Sequence, residues 1–168
     1  MNTLLKTLLV ATAITSAAAN AANVTSTSAS EAKFSFAGKI DPMCKTSSGT
    51  TNSVTNLVLD ASQQVQDIGT LDVWCNTGKN ATTEYTSANG GFLVADNAQS
   101  SKIAYTLTVD GISDINLQTG KYSHTATLAG TGISGDTKAT ALKIKPLSNG
   151  LNDAGTYSDT ITVTVSPN

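Results

Sequence analysis

The clearest alternation of apolar and polar positions lies at the C-terminal end of the chain. Every second residue there is apolar or aromatic, and most of the residues between carry hydroxyl groups; the apolar set is Tyr157, Ile161, Val163 and Val165. Successive side chains on a strand point to opposite faces. Because Asp159 interrupts the apolar series, the pattern predicts burial from Ile161 onward. A strand of this length must find a partner on both sides or leave an exposed edge.

Shorter segments of the same kind precede the last strand. They predict strands at residues 34–40, 54–59, 69–75, 92–94, 103–109 and 142–144, with a return from the Asp110-Gly111 turn at 112–117 and a short strand at 126–128. Residues 76–89 are rich in turn formers, and residues 119–136 contain four glycines and are predicted to be mostly loop. No segment longer than a turn or two has the apolar spacing of a helix. About seven short strands predict an all-β sandwich.

The N-terminus predicts export. Lys6 precedes an apolar run of small residues, and Ala19-Asn20-Ala21 has the small-x-small form of a signal-peptidase site. We therefore predict a signal peptide at residues 1–21, an N-terminal extension at 22–33 and one β-sandwich domain at 34–168. The leader is too short to span a membrane and no other stretch comes close, so no membrane span is predicted after its removal.

Charge and composition narrow the classes of partner. The chain has 12 acidic and 10 basic residues, a net charge of −2, and only 13% charged residues in total. Without a basic cluster, the sequence argues against binding nucleic acid or an anionic membrane surface. A composition dominated by Thr, Ser, Gly, Ala and Asn is typical of extracellular β-proteins with hydroxyl-faced strands.

Two cysteines, Cys44 and Cys75, remain after export, and an even count in an oxidising compartment predicts a disulfide. Closing this loop would stabilise the fold by roughly 3–4 kcal/mol on the chain-entropy model. The alternative is a metal or redox site, which neither a Cys-x-x-Cys pair nor a nearby histidine supports.

Candidate chemistry is sparse. His124 is the only histidine, and its polar surroundings predict a surface loop. The aspartates are scattered, mostly at turns, where they cap backbone groups, and the glycine-rich stretches lack the lysine and helix of a phosphate loop. We predict no catalytic, cofactor or metal-binding residues, and no enzyme.

Three short motifs carry a resemblance to a known family. The pattern F-x-G-x-I-x-x-x-C at residues 36–44 resembles the first-strand signature of pilins assembled by the bacterial chaperone–usher pathway. The ending GTYSDTITV at residues 155–163 resembles the close of spore coat protein U-like domains, which are alternative pilins, and LDVWCNTG at 71–78 is similar to their second-cysteine strand. Typical pilins carry a tyrosine next to the C-terminus, whereas this chain ends in Ser-Pro-Asn168.

The resemblance implies an immunoglobulin-like β-sandwich that lacks its final strand and is completed by donor-strand exchange. A strand from a neighbouring subunit fills a groove bordered by the first and last strands. The implied groove-bordering residues are Phe34, Phe36, Ile40, Ile161, Val163 and Val165. The implied donor strand, in the extension, is Val24, Ser26, Ser28, Ser30 and Ala32.

We therefore predict a structural subunit of a fimbria or surface fibre, exported through the periplasm to the cell surface, that supports adhesion or biofilm. The implied partners are like or related pilin subunits, a periplasmic chaperone, an outer-membrane usher and a host or surface ligand, with no cofactor. The predicted donor strand is weak, since burying Val24 and a few small residues gives only about 2–3 kcal/mol. The donor extending into Phe34 and Phe36, a fibre cap and a self-complete monomer therefore stay open.

The second function that the sequence allows is a monomeric secreted β-sandwich module that binds a carbohydrate or a protein. Its candidate contact residues are Trp74, Tyr85 and Tyr122. Trp74 falls on the outward face of its predicted strand, beneath a loop or in a partner contact.

Overall fold

A computed structural model describes residues 24–46, 53–78, 80–132 and 136–168. The predicted signal peptide lies outside the described residues. Those residues contain ten strands and no helix: β1 Cys44–Thr46, β2 Gln66–Cys75, β3 Asn80–Ser87, β4 Phe92–Ala95, β5 Lys102–Val109, β6 Ile112–Ile115, β7 Tyr122–Leu128, β8 Lys138–Pro146, β9 Tyr157–Ser158 and β10 Ile161–Pro167. In this part of the chain, therefore, no helix is long and apolar enough to cross a membrane.

The chain divides into two units, Met1–Lys39 and Ile40–Asn168. In the first unit, residues 24–39 form no strand and all of them are exposed. A single turn joins Thr25 and Ser28, where the Ser28 amide donates to the Thr25 carbonyl at 3.0 Å. All ten strands belong to the second unit.

The second unit is a sandwich of two antiparallel sheets, consistent with an immunoglobulin-like fold, which confirms the all-β prediction. The larger sheet has the order β1-β2-β8-β5-β4-β9, with β6 also paired to β5, and the smaller has the order β10-β3-β7. Strands β2, β8 and β5 form the centre of the larger sheet, where β8 pairs with β2 along one edge and with β5 along the other.

The core follows the period of two that the sequence shows. On β2 the buried residues are Leu71, Val73 and Cys75, and on β5 they are Ile103, Tyr105, Leu107 and Val109. Cys44 and Cys75 lie opposite each other in the β1–β2 ladder and form a disulfide, as predicted. Trp74 points away from this core, and its indole N–H donates to the Gly132 carbonyl at 3.2 Å, so the loop after β7 lies over it.

The prediction of a strand at residues 34–40 is wrong for the isolated chain. Phe34, Phe36 and Ile40 lie in no strand, and β1 begins only at Cys44. The reason is register. Cys44 pairs with the last residue of β2, and the Asn76 amide already bonds to the Met43 carbonyl at 3.1 Å. Because the chain turns into β3 after Asn76, β2 offers no backbone to pair with the residues before Met43.

The predicted strand at residues 54–59 is also absent, although Leu57 and Leu59 pack against the core as expected. The side chain of Gln66 substitutes for a neighbouring strand at this place. Its amide oxygen accepts from the Val58 N–H at 2.7 Å and its amide nitrogen donates to the Val58 carbonyl at 2.8 Å. The segment therefore runs extended beside the sandwich without a ladder.

The turn-rich residues 76–89 include a strand that was not predicted, β3, and the loop prediction for 119–136 is wrong in part because β7 lies within that segment. The buried face of β3 carries Ala81, Thr83 and Tyr85, and that of β7 carries Thr127. The hydroxyls of Thr83 and Thr127 lie 2.5 Å apart and satisfy each other. Hydroxyl-bearing and small residues thus take core positions, which hides the apolar alternation of these strands.

Candidate assembly site along the last strand

The C-terminal segment changes sheets at Asp159, so the single strand predicted there is two. Tyr157 pairs with Ala95 in the larger sheet, whereas Ile161 begins the ladder with β3 in the smaller one. Asp159 lies between them and accepts hydrogen bonds from the Tyr105 hydroxyl at 2.6 Å and the Ser87 hydroxyl at 2.5 Å. This carboxylate fixes the start of β10.

β10 pairs with β3 along its whole length, from Ile161 opposite Ser87 to Pro167 opposite Ala81, without a bulge. Its other edge has no ladder partner among the described residues. The last residue holds the far end in place, since the Asn168 side chain accepts from the Thr82 hydroxyl at 2.5 Å and donates to the Thr125 carbonyl at 2.7 Å. β10 is therefore a fixed strand with one open edge.

The apolar row of β10 is only partly covered. Ile161, Val163 and Val165 are half-buried, while Tyr85 and Thr83, the β3 residues opposite the two valines, are fully buried. Opposite residues of an antiparallel pair point to the same face. On the core-facing side of this sheet, side-chain burial therefore decreases from β3 to the open edge of β10. A further strand beside β10 would cover what remains.

The short strand β1 is the edge of the other sheet and lies close to β10, but no ladder joins the two strands. The disulfide holds Cys44 against β2, and the Thr46 hydroxyl is buried without a hydrogen-bond partner in the described residues. The two sheets therefore meet along an unjoined seam. We call this place, formed by Cys44–Thr46 and Ile161–Pro167, the β1–β10 seam.

The electrostatics near the start of β10 favour neutral tyrosines. Burial, followed by the hydrogen bond to Asp159, raises the pKa of Tyr105 well above its ordinary value. Burial also raises the pKa of Tyr85. Both hydroxyls therefore remain protonated over the physiological range, and Tyr105 acts as a permanent donor to Asp159.

The structure brings together some of the predicted site residues and separates others. Ile161, Val163 and Val165 lie on β10 at the seam and pack against the core, and their groove-bordering role stays a prediction. The other three predicted border residues, Phe34, Phe36 and Ile40, lie in no strand of the described residues, and their bordering role also stays a prediction. The predicted donor residues Val24, Ser26, Ser28, Ser30 and Ala32 are exposed and unpaired by any strand, and their donor role stays a prediction.

The aromatic residues of the alternative binding module do not form an exposed platform. Tyr85 is fully buried, and Tyr122 packs beside it with 6.1 Å between ring centroids. His124 stacks on Tyr122 and lies on β7 rather than in the predicted surface loop. Its Nε2 is 3.9 Å from a carboxylate oxygen of Asp110. Within the described ranges, no group of histidine, cysteine or acidic side chains could hold a metal ion.

Comparisons with known proteins give likenesses to solved structures alone: no protein-family model and no curated protein matches the chain. One such structure is the CsuC–CsuE chaperone–tip adhesion subunit pre-assembly complex from archaic chaperone–usher Csu pili of Acinetobacter baumannii, at 17% identity and a TM-score of 0.44. Another is a chaperone–tip adhesin complex of CFA/I fimbriae biogenesis, at 15% identity and a TM-score of 0.45. Each match covers 74% of this chain but only 40% and 42% of the other. This chain thus spans less than half the length of either.

Proposed function

We propose that this protein is a secreted structural subunit of a cell-surface fibre, and that subunits join by adding a strand from one copy along the open edge of β10 in the next. The observation that carries the proposal is this edge, which runs along the seven residues of β10 without a ladder partner among the described residues and lies beside a half-buried apolar row. In strand addition, main-chain hydrogen bonds supply affinity and alternating side chains fill pockets. The β1–β10 seam supplies both requirements.

The residues of β10 support a paired role for its edge. Edge strands that must stay unpaired are protected by charged side chains, proline or bulges. β10 contains no charged residue, its one proline is the final residue Pro167, and its ladder with β3 is regular. The opposite edge of the same sheet differs, because β7 has a bulge against β3 between Ala81 and Thr83. Of the two edges, β10 is the one suited to receive a strand.

The three pilin-like motifs support a chaperone–usher route for this assembly. On that route a periplasmic chaperone covers the β10 edge first, and an outer-membrane usher then exchanges it for the strand of another pilin subunit. The predicted signal peptide agrees with passage through the periplasm to the cell surface. A host or surface ligand, and a role in adhesion or biofilm, belong to the same proposal but have no assigned residues.

The test is polymer formation by the full chain, exported with and without its native periplasmic partners. On denaturing gels without boiling, fibre subunits should run as a ladder that collapses to one band after boiling. Val163→Asp places a charge in the half-buried row and should abolish the ladder. Thr162→Asp, one residue earlier on the exposed face and opposite the uncharged Thr86, should retain it.

Two measurements make the result decisive. Thiol titration and circular dichroism should show that the Val163→Asp subunit keeps its disulfide and its β-structure, so that loss of the ladder reports assembly. A single band for the wild-type chain under every export condition would overturn the proposal and favour the monomeric binding module.

A further inference from the structure

Basic residues are concentrated on three neighbouring strands of the larger sheet. β4, β5 and β8 contain four lysines and no acidic residue, although the chain as a whole has 12 acidic residues and 10 basic ones. Three of these lysines, Lys102, Lys143 and Lys145, alternate with the buried positions of their strands and therefore lie on the outer face of the sheet. The fourth, Lys138, begins β8 opposite the buried Val73. The larger sheet thus has a basic outer face in a chain of net negative charge.

The pairing of β5 with β8 places the three outer lysines in a line. Lys143 lies opposite Thr108 and Lys145 opposite Thr106, while Lys102 is on β5 itself, at its first position. At about 3.4 Å per residue, their backbone positions are spaced by about 7 Å and about 14 Å along the strand direction and span about 20 Å in total. We call this part of the outer face the lysine strip, formed by Lys102, Ala104, Thr106, Thr108, Lys143 and Lys145.

Two of the three ammonium groups have no carboxylate beside them. Lys143 pairs with Asp67 at 3.1 Å, but within the described ranges neither Lys102 nor Lys145 forms an ion pair. The Lys102 ammonium lies 5.7 Å from the centre of the Phe92 ring on β4, a cation–π contact that holds it at one end of the strip. These two cations are therefore available to an anionic ligand.

The side chains of the strip favour an acidic polysaccharide over a protein or a nucleic acid. Protein interfaces are centred on buried aromatic or arginine anchors, whereas only Ala104, Thr106 and Thr108 lie between these lysines. Nucleic-acid sites rely on arginine and on stacking aromatic residues, and the chain has no arginine. An extended chain of uronic acid sugars presents carboxylates for the lysines and hydroxyl groups for hydrogen bonds with the threonines.

We propose that the lysine strip binds an acidic polysaccharide that runs along β5, with carboxylates paired to Lys102 and Lys145. This assignment names the class of surface ligand in the fibre function above, and it rests on that function only for the repetition of the strip along a fibre. In a fibre joined at the β1–β10 seam the strip stays accessible, because β2 and β8 separate β5 from β1. Single exposed ion pairs are weak, but many copies in one fibre raise the overall affinity.

Titration calorimetry of the purified, folded monomer with oligogalacturonate tests this assignment. The wild-type chain should bind, more weakly as the salt concentration rises, and should not bind a neutral malto-oligosaccharide of the same length. Lys102→Gln and Lys145→Gln should each weaken binding about fivefold, and the double variant should lose more than either. The matched control, Lys121→Gln, removes the same charge just before β7 of the smaller sheet and should leave the affinity within about twofold of wild type.

Three results would contradict the assignment, provided that circular dichroism shows every variant to be folded. They are no binding of oligogalacturonate at low salt, an equal loss of affinity in Lys121→Gln, and binding of single-stranded DNA as tight as that of oligogalacturonate. The fibre proposal fails on different evidence. A chain that binds oligogalacturonate but never forms a boil-sensitive ladder refutes the fibre and leaves the strip assignment standing, whereas a ladder without binding refutes the strip assignment alone.

Discussion

Asp159 is the polar residue at which we expect substitution to destabilise the sandwich most. Its carboxylate accepts from the Tyr105 hydroxyl at 2.6 Å, the Ser87 hydroxyl at 2.5 Å and the Asn89 amide at 2.9 Å. These donors belong to different parts of the fold, since Tyr105 is on β5 of the larger sheet and Ser87 ends β3 of the smaller. The carboxylate therefore joins the two sheets where the chain passes from one to the other.

The loss of unfolding free energy depends on which hydrogen-bond partner remains buried after each substitution. Tyr105→Phe removes one hydrogen bond to a charged group, which costs about 1.5–3 kcal/mol. Asp159→Ala removes the same bond together with those from Ser87 and Asn89. It also leaves the Tyr105 hydroxyl, on a side chain only 1% exposed, without an acceptor. We expect the alanine variant to lose roughly 3–5 kcal/mol of unfolding free energy.

A double-mutant cycle in urea separates the shared bond from the other contacts. The double variant of Tyr105→Phe and Asp159→Ala should lose about 1.5–3 kcal/mol less unfolding free energy than the two single variants lose in sum. The reason is that both single variants break the same hydrogen bond. Asp67→Ala is the control carboxylate: Asp67 is 71% exposed and its ion pair with Lys143 is 3.1 Å long. Exposed pairs contribute about 0–1 kcal/mol.

Either of two outcomes would refute this account of Asp159. One is a coupling energy within error of zero, which would mean that Tyr105 and Asp159 stabilise the fold independently. The other is an Asp159→Ala variant no less stable than Asp67→Ala. The measurement should be made on the purified monomeric chain, because any partner that binds the native state raises the apparent stability.

Three further variants test other parts of the fold. Burial raises the pKa of Tyr105 above its ordinary value of 10.0, so with rising pH this tyrosine ionises first in the unfolded chain. The free energy of unfolding should therefore be constant below about pH 10 and should fall above it by up to about 1.4 kcal/mol per pH unit. In urea titrations at rising pH, Tyr105→Phe should make that fall smaller. A Cβ at Gly130 would overlap the carbonyl oxygen of Asp136, so Gly130→Ala should lower the free energy of unfolding by about 3 kcal/mol or prevent folding. A melting temperature equal to that of the wild type would contradict this. Cys75→Ser frees Cys44 and should cost roughly 3–4 kcal/mol, whereas unchanged thermal stability would argue against a stabilising disulfide.

The larger sheet could be predicted from the sequence because most of its inward positions are aliphatic or aromatic. The run from Ile103 to Val109 alternates without interruption, and its inward members are buried. The smaller sheet could not be predicted in the same way. Thr83 and Thr127 are fully buried but polar, and they become core residues only because each hydroxyl has the other as its partner. That pairing depends on the β3–β7 register, which no local pattern contains.

The predicted strand at residues 34–40 shows a second limit. Alternation specifies which face of a segment is apolar, but a strand also needs a backbone partner, and that depends on where the neighbouring strand ends. β2 ends at Cys75, opposite Cys44, and the alternating segment lies in no strand of the described residues. The apolar row of β10 was predictable from residue types. Its open edge was not, because whether a strand lies at an edge depends on the strand order of the whole sheet.

On the fibre proposal, the way in which subunits join follows from β10 acting as the acceptor edge of the smaller sheet. Beyond β7 the chain passes into the larger sheet, where the Gly130 N–H donates to the Val73 carbonyl at 2.9 Å and the Gly130 carbonyl accepts from Cys75 at 2.9 Å. These bonds join the segment after β7 to the larger sheet, but neither β7 nor β10 has a second ladder partner among the described residues. A subunit with one acceptor edge and one donor segment makes a heterologous contact. Such contacts give rings or open filaments, and we therefore expect unbranched fibres with a single polarity.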